Sequence, residues 1–386
     1  MTEEDVVQEI MLEFAGRTGL QGSGPVRRYL WTDAYAVCNF LGLYRQTGRE
    51  KYLHLALDLV DQVHETLGRH RDDDPRSGWI SGLDNGVGQL HPTAGGLRIG
   101  KRSAERPAGE PFDEKLEWEN DGLYYHYLTK WMHGLCCTAR VIGNPVYVTW
   151  ARELAERAHN AFCQSGPGDA KHLYWKMSID LSRPQVTSMG HHDPLEGLVT
   201  CLEIRQQEET GAGTGEPLLA VAIKDLTDMC RGSNWTTPDP LGVGGLLVDG
   251  WRLAQLQGAG MEIPVVGLLE EMLDAAAVGL SIFTRDNTLH LPAGSRLAFR
   301  ELGLSIGLQA IVRIESLVSR FPEAFSSQTR LGAMLDALQH YLDLREQIED
   351  FWLVPENMAV PAWNDHADIN MVMLATSLAP EGFLDL

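Results

Sequence analysis

Acidic residues, histidines and tryptophans recur together at six places, each near the beginning of a segment with helical periodicity. The six segments are YLWTDAY (29–35), EWENDG (117–122), MGHHDPLEG (189–197), NWTTPDPLG (234–242), RLAFREL (296–302) and PAWNDHADIN (361–370). Carboxylates and histidines transfer protons near neutral pH, and the face of a tryptophan packs against the apolar C–H face of a sugar ring. This pattern favours an acid–base site for a carbohydrate at a set of helix starts.

Glycoside hydrolysis is the first chemistry that these residues could perform. It requires two carboxyl groups flanking the scissile bond, about 5–5.5 Å apart for retention and about 6.5–9.5 Å apart for inversion. The carboxylate candidates are Asp33, Glu117, Glu119, Asp121, Glu301 and Asp365. We expect one carboxylate from 117–121 to face Asp33 or Asp365 across the site.

Epimerisation or isomerisation of a sugar is the second chemistry. It needs an acid and a base that act near neutral pH on two faces of one carbon atom, and histidine has an ordinary pKa of about 6.5. His192 and His366 stand at the starts of two different helical segments. A sugar-binding protein without catalysis is the third interpretation, and all three remain open at this point.

Four tryptophans and several polar residues form the predicted substrate-binding set. The set consists of Trp31, Trp118, Trp235, Trp363, His91, His191 and Arg300. Helix capping, at about 1 kcal/mol per cap, would explain acids such as Asp33 and Asp193 without any active site, but it does not explain the tryptophans. Basic residues such as Lys176, Arg296 and Arg300 would suit an anionic sugar, or they would simply offset the acids.

Helical periodicity dominates the chain, and it predicts the elements that must position these residues. Twelve helices are expected, near 3–16, 31–47, 50–68, 119–142, 145–163, 193–210, 216–231, 239–258, 264–283, 298–320, 327–349 and 364–378. Glycines such as Gly48 and Gly143 end the first helix of a pair, and a second helix begins a few residues later. Ten of the helices are therefore predicted to form five antiparallel hairpins, and the last helix is expected to pack against the first.

The first helix of each pair is apolar on most faces, and the second carries one charged face. These are the characters expected of an inner and an outer ring of helices. The sequence thus predicts an all-α (α/α)6 toroid in a single domain over 1–386. An open α-solenoid is the alternative, but unequal repeats and a long irregular insertion at 70–118 favour the closed barrel, with the insertion lying over its mouth.

The composition and net charge of the chain limit the classes of molecule that it is expected to bind. The chain has 386 residues and a formal net charge of −21, which repels nucleic-acid phosphates and anionic lipids. Its amino terminus has no signal-peptide pattern, and no apolar run of the length of a membrane span is evident. We therefore expect a cytoplasmic protein that binds a small sugar or oligosaccharide, while the sequence leaves the oligomeric state undetermined.

No metal site and no cofactor are predicted from the cysteines and histidines. The six cysteines, at 38, 136, 137, 163, 201 and 230, show no C-x-x-C spacing and are expected to be reduced thiols. His126 and His133 share a helix face, but Lys130 lies between them, which argues against a cation.

Three short segments resemble the six-hairpin glycosidase-like superfamily, including its N-acylglucosamine 2-epimerase group. TGREKYL (47–53) is similar to a recurrent hairpin turn, GHHDPLEGLV (190–199) to an epimerase H-x-H-x-x-E segment, and PAWNDHADIN (361–370) to a closing segment with a histidine at its helix start. The resemblance implies an (α/α)6 toroid and a carbohydrate-active enzyme, a glycosidase or an epimerase. The epimerase H-P-x-x-E pattern itself is not intact here.

Overall fold

A computed structural model describes residues 3–165, 171–210, 219–325 and 328–386 of the chain. Within it the chain forms two compact units. One contains residues 15–230, and the other contains residues 1–14 together with 231–386. The single-domain organisation inferred from the sequence remains a prediction.

The described chain is almost entirely helical. The longer helices are α1 (Glu3–Arg17), α2 (Leu30–Thr47), α3 (Glu50–Leu67), α6 (Tyr125–Ile142), α7 (Val146–Phe162), α8 (Asp193–Thr210), α9 (Ala220–Cys230), α10 (Pro240–Gly258), α11 (Leu268–Phe283), α12 (Ala298–Arg320), α13 (Gln328–Gln339), α14 (Asp343–Trp352) and α17 (Ala367–Leu378). The short helices are α4 (Asn85–Leu90), α5 (Glu114–Glu119), α15 (Pro355–Met358), α16 (Pro361–Asn364) and α18 (Glu381–Leu384). The strands are β1 (Leu123–Tyr124), β2 (Cys163–Ser165), β3 (Lys171–Leu173) and β4 (Lys176–Met177).

Three inner helices, α2, α6 and α8, form the centre of the unit made of residues 15–230. Helix α6 packs against both α2 and α8, and the outer helices α3, α7 and α9 each pack on the inner helix that precedes them. Helix α2 is buried continuously from Leu30 to Leu43, whereas α3 buries one face and exposes charged residues on the other. The predicted difference between inner and outer helices is confirmed here.

The second unit repeats this arrangement with α10, α12 and α17 as its inner helices. Helix α12 packs against both α10 and α17, while α11 packs on α10, and α13 packs on both α11 and α12. Helices α10 and α12 approach closely because both carry glycines at their contact, where a Cβ on Gly244 would lie 2.1 Å from the carbonyl oxygen of Gly303. Residues 3–14 of α1 belong to this unit, and the pairing of α17 with α1 remains a prediction.

Two predicted helices are interrupted. The helix expected at 119–142 begins only at Tyr125, because Gly122 has a φ of +151° and Tyr124 pairs with Lys176 of β4. Consequently 117–121 is not the first turn of an inner helix but the end of α5 and the extended link that follows. The helix expected at 327–349 is also divided, into α13 and α14.

Helix α12 is the only described helix with the length and apolarity of a membrane span, with a mean hydropathy of 1.3 over its most apolar window. The sequence had indicated no apolar run of the length of a membrane span. The apolarity follows from the position of α12, because its neighbours α10, α14 and α17 cover several of its faces. A core helix with this environment has the same composition as a spanning helix.

Ion pairs and strand pairing order the segment before α6. The insertion at 70–118 contains the two short helices α4 and α5, and Arg98 anchors it by an ion pair with Asp121 at 2.6 Å. Strand β4 follows α7 and pairs antiparallel with β1, so that Lys176 lies opposite Tyr124. The segment between α7 and α8, for which the sequence indicated no element, therefore contributes side chains to the start of α6.

Candidate active site

The starts of α2, α6 and α8 meet in one place. The phenol oxygens of Tyr29 and Tyr127 are 2.7 Å apart, and the ring of Trp31 lies 5.3 Å from that of Tyr127. His126 Nδ1 is 3.7 Å from Asp193 Oδ1. The predicted convergence of inner-helix starts is thus confirmed within this unit. We name these residues, together with Tyr124, Trp118 and Trp175, the acid–aromatic cluster.

Trp175 and Asp193 reach the start of α6 in different ways, Trp175 through backbone pairing and Asp193 through its position at the start of α8. The amide of Tyr125 donates to the carbonyl of Trp175 at 3.0 Å, next to the β1–β4 pair. Asp193 begins α8, and its carboxyl group folds back over Gly190, where a Cβ would lie 2.3 Å from the carboxyl carbon. A side chain at position 190 would therefore displace the carboxyl group from the cluster.

Asp193 is a buried carboxyl group that lacks a bonded counterion. Its residue is 5% exposed, and within the described chain its Oδ2 has no hydrogen-bond partner. Burial, followed by the nearby charge of Glu196, raises the pKa of Asp193 well above its usual range, although Lys130 acts in the opposite direction. A carboxyl group that keeps its proton towards neutral pH is suited to act as a general acid.

His126 is the neutral neighbour of this acid. Its side chain is 28% exposed, and burial together with the charge of Lys130 lowers its pKa to about 3. Lys130, one turn further along α6, forms an ion pair with Glu196 of α8 at 2.8 Å. The imidazole therefore remains neutral at physiological pH and could accept a hydrogen bond from a substrate or position Asp193.

An aromatic surface extends from His126 to the solvent. Tyr124 stacks on His126 with 5.6 Å between ring centroids, and Trp175 contacts Tyr124 at 5.1 Å. Trp118 lies 5.3 Å from Trp175 and is 51% exposed, and Trp175 Nε1 donates to Ser188 Oγ at 2.8 Å. An exposed tryptophan supported by a fixed second one is the arrangement that a sugar ring stacks on.

Three of the predicted catalytic carboxylates instead hold the structure together. Asp33 accepts from Arg28 at 3.3 Å and from the amide of Tyr29 at 2.8 Å, so it stabilises the start of α2. Glu117 forms ion pairs with an arginine and a lysine, and Asp121 with two arginines. These pairs are Glu117–Arg106 at 2.7 Å, Glu117–Lys176 at 2.7 Å, Asp121–Arg98 at 2.6 Å and Asp121–Arg71 at 3.3 Å.

Among the predicted carboxylates of this unit, Glu119 is the one that remains available. It is exposed at the end of α5, beside Trp118, and no bond joins it to another residue of the described ranges. Burial is the main cause that raises the pKa of Tyr124, and the negative charge of Glu119 is a smaller contribution to the same shift.

Among the predicted histidines of this unit, His91 lies apart from the neighbouring pair His191 and His192. His91 Nδ1 contacts Glu153 of the outer helix α7 at 2.6 Å, so it is not a ligand of the cluster. His191 and His192 precede α8, with ring centroids 4.6 Å apart, and His191 is exposed. Of the three, only His192 immediately adjoins Asp193 in the chain.

The candidates in the second unit also divide into structural and exposed residues. Glu301 is bound by Arg296, and it accepts from Trp352 Nε1 at 2.8 Å. Trp363 is 5% exposed and packs on Trp352. Both Glu301 and Trp363 are therefore core residues of this unit.

The starts of α10, α12 and α17 also meet within this unit. Arg300 of α12 is paired with Asp239 at the start of α10. The exposed His366, with exposed Asp365 before it, lies 5.5 Å from the ring of Phe299. Trp235 is buried, at 3% exposure, before α10. This unit thus presents Asp365 and His366 as its exposed candidates.

Sequence reasoning missed Asp193, His126, Tyr124 and Trp175 as site residues. Asp193 looked like an ordinary helix cap, and His126 was considered only as a metal ligand. The signal that could have identified Asp193 is Gly190, which provides the space that its side chain occupies. No local signal could have identified Trp175, since its position depends on the β1–β4 pairing.

A charged cleft is lined by residues that do not belong to the acid–aromatic cluster. It has a volume of about 560 Å³ and is lined by Glu65, Thr66, Arg69, His70, Arg71, Asp72, Asp73 and Arg98. Its arginines are already paired, Arg71 with Asp73 and Arg98 with Asp121. Charge pairing explains the polar lining of this cleft.

The comparisons with known proteins bear on the fold. No family model and no curated protein matches the chain. Among solved structures, a GH76 α-mannanase from Bacteroides thetaiotaomicron matches with a TM-score of 0.56 at 9% identity, over 100% of this chain and 98% of that one. The GH76A α-1,6-mannanase of Salegentibacter sp. HEL1_6 matches with a TM-score of 0.53 at 12% identity, over 98% and 99%.

A cellobiose 2-epimerase from Spirochaeta thermophila DSM 6192 matches with a TM-score of 0.49 at 13% identity, over 97% of this chain and 98% of that one. The likeness to the two mannanases extends over nearly the whole of each chain, at identities that establish the fold. This chain therefore has the (α/α)6 toroid fold, as its sequence predicted.

Proposed function

We propose that this protein is a carbohydrate-active enzyme that hydrolyses a glycosidic bond, with Asp193 as its proton donor. One observation carries the proposal: Asp193 is buried, has an oxygen without a partner in the described ranges, and borders an aromatic surface. A raised carboxyl pKa in such surroundings is the property that protonation of a leaving group requires.

Glu119 is the proposed second carboxylate, as base or nucleophile. It is exposed to water, whereas Asp193 is buried and burial raises the pKa of Asp193, which favours its protonated form. Both adjoin the aromatic rings, Glu119 through Trp118 and Asp193 through His126. The pair replaces the sequence-based expectation that Asp33 or Asp365 faces residues 117–121.

The proposed substrate is a neutral oligosaccharide. The basic residues that would have recognised an anionic sugar are already paired, Lys176 with Glu117, Arg296 with Glu301 and Arg300 with Asp239. Trp118 and Trp175 offer ring faces for stacking instead. Since one similar structure is an α-1,6-mannanase, α-1,6-linked manno-oligosaccharides belong in the first panel of substrates.

Epimerisation is the second candidate function, and one distance favours it. His126 Nδ1 and Asp193 Oδ1 lie 3.7 Å apart, which places an imidazole beside a carboxyl group, the two side-chain types that transfer protons to and from a sugar carbon. In this version His126 replaces the pair His192 and His366 that the sequence suggested.

Product analysis separates the two functions. The purified chain is incubated with neutral gluco- and manno-oligosaccharides, and reducing ends are measured together with the products by chromatography. New reducing ends support hydrolysis, whereas an altered sugar with no new reducing end establishes epimerisation. Binding of a sugar, seen as a thermal shift, without either product would leave a sugar-binding protein and overturn both enzymatic proposals.

A matched pair of variants tests Glu119. Glu119→Gln removes the proposed carboxylate, while Glu114→Gln makes the same change at another exposed position of α5. We expect turnover to fall at least a hundredfold in the first variant and to stay within twofold of the wild type in the second. Equal activity of both variants would exclude Glu119 from the chemistry.

A further inference from the structure

Three metal-ligand side chains meet in the core of the unit formed by residues 15–230, apart from the acid–aromatic cluster. Cys38 of α2 and His133 and Cys137 of α6 have their ligand atoms within 4.8 Å of one another. All three residues are at most 3% exposed. No spacing rule predicts this group, because Cys38 lies about a hundred residues from the other two in the chain.

The close approach of α2 and α6 creates the group. The two backbones lie close together at Gly134, where a Cβ would be in van der Waals contact with the carbonyl oxygen of Ala34 at 3.5 Å. Cys38 follows Ala34 by four residues, and Cys137 follows Gly134 by three. The two thiols therefore face each other one turn beyond the crossing.

His133 is held in the orientation of a metal ligand. Its Nδ1 is 2.9 Å from Glu203 Oε2 of α8, which leaves Nε2 directed towards Cys137 Sγ at 3.6 Å. A carboxylate on the far nitrogen of a histidine is the usual support of a zinc-bound imidazole. With bond lengths of about 2.3 Å to sulfur and 2.1 Å to nitrogen, tetrahedral zinc would separate the two ligand atoms by about 3.6 Å.

The charges around the group match a divalent ion. Arg140 donates to Cys137 Sγ at 3.0 Å and pairs with Glu203 at 3.0 Å. With both thiols ionised, these two thiolates, the Glu203 carboxylate and the Arg140 guanidinium sum to −2. A divalent cation would bring this buried set to zero, and buried charges require such compensation.

We propose that Cys38, His133 and Cys137 form a binding site for Zn²⁺, positioned by Glu203. Two sulfur ligands and one nitrogen ligand select a thiophilic ion over Mg²⁺ or Ca²⁺. The site connects α2, α6 and α8, and its role is structural. This inference does not depend on the proposed hydrolase.

A second group, His159, Cys163 and Asp225, has ligand atoms equally close but a different environment. There Lys171 Nζ lies 3.3 Å from Asp225 Oδ2, and His159 Nε2 lies 3.2 Å from the same oxygen. With its thiol ionised, this group and Lys171 sum to −1, against −2 for the proposed site, so a divalent ion matches its charge less well and it serves as the internal control.

Cobalt binding tests the site directly in the native chain. Reduced protein is stripped with a chelator and titrated anaerobically with Co²⁺, the spectroscopic substitute for Zn²⁺. We expect one ion per chain, a near-ultraviolet thiolate-to-cobalt band, and loss of the band when Zn²⁺ is added. Zn²⁺ should also raise the melting temperature of the stripped protein. A folded chain without a thiolate band would overturn the proposal, and this measurement needs no variant.

Variants then locate the ligands. Cys38→Ser and Cys137→Ser should each weaken Co²⁺ binding at least tenfold, whereas Cys136→Ser and Cys163→Ser should retain the band. Glu203→Gln should weaken binding roughly tenfold to a hundredfold while the band keeps its shape, as expected for a residue that only positions His133. Loss of the band in Cys163→Ser alone would assign the metal to the other group and refute the site.

One further outcome would contradict the proposal. If protein purified without reductant contains four free thiols and a Cys38–Cys137 crosslink by mass spectrometry, and if reduced protein binds no Co²⁺, the pair is a disulfide-forming dithiol instead.

Discussion

Asp33 and Asp193 begin two inner helices that both pack against α6, and both side chains are nearly inaccessible to water. Asp33 is 1% exposed and is bound by Arg28 and by the amide of Tyr29. Asp193 is 5% exposed, and its Oδ2 has no partner among the residues that the structure describes. A buried carboxylate with a guanidinium stabilises the fold, whereas one without it retains its proton and becomes available for chemistry.

The first prediction concerns Asp193. Asp193→Asn keeps the shape of the side chain but removes the acid, so we expect turnover to fall by roughly a hundredfold to ten-thousandfold, the usual contribution of general acid catalysis. Initial rates on a substrate identified by the panel measure the effect. Asp239→Asn, at the N-cap of α10, is the matched control and should keep at least half of the activity.

The second prediction concerns Asp33, the buried carboxylate that is paired with Arg28. Asp33→Asn leaves the buried Arg28 without its counterion, which should lower the free energy of unfolding by about 3–5 kcal/mol. Urea denaturation measures this loss. Adding Arg28→Met to Asp33→Asn should recover part of it, and a single variant as stable as the wild type would contradict the structural role of Asp33.

The third prediction concerns pH. The folded-state pKa of His126 is about 3, below the ordinary value of about 6.5, so on acidification the unfolded chain binds this proton first. Stability should therefore fall as the pH decreases from about 6.5 towards 3. His126→Gln should make this decrease shallower, as measured by denaturation at several pH values.

The contribution of Asp193 to the pH dependence of stability has the opposite sign to that of His126, since the pKa of Asp193 is raised in the folded state. Stability contributed by its protonated form is present at low pH and declines as the pH rises through the folded-state pKa. Asp193→Asn should therefore gain stability relative to the wild type as the pH increases. A constant difference between the two proteins would show that Asp193 titrates normally.

The smallest expected effect is at the rim of the cluster. Trp118→Ala removes the exposed ring without opening the core, so sugar affinity should fall by up to about tenfold, corresponding to roughly 0.5–1.5 kcal/mol. Leu116→Ala, which truncates another exposed apolar side chain of α5, is the control. If both variants bind sugar as the wild type does, the stacking surface lies elsewhere.

Most of the fold was predictable because helix positions are encoded locally. Seven of the twelve predicted helices, such as those at 31–47 and 298–320, begin and end within two residues of the helices in the structure. The interruption at 120–124 was not predictable, since it depends on β4, which is some fifty residues away. The candidate site was predicted only in type, as acids, histidines and aromatics at inner-helix starts.

The sequence by itself determined the helices, their glycine ends and the difference between inner and outer faces, because periodicity and turn residues act over a few neighbouring positions. Only the tertiary structure decided which acids are neutralised. Arg28 is five residues from Asp33 along the chain. Arg98, however, is twenty-three residues from Asp121, and Lys176 is fifty-nine residues from Glu117. Whether a carboxylate becomes structural or reactive depends on the charge that folding brings beside it. Local sequence does not encode which distant residue supplies that charge.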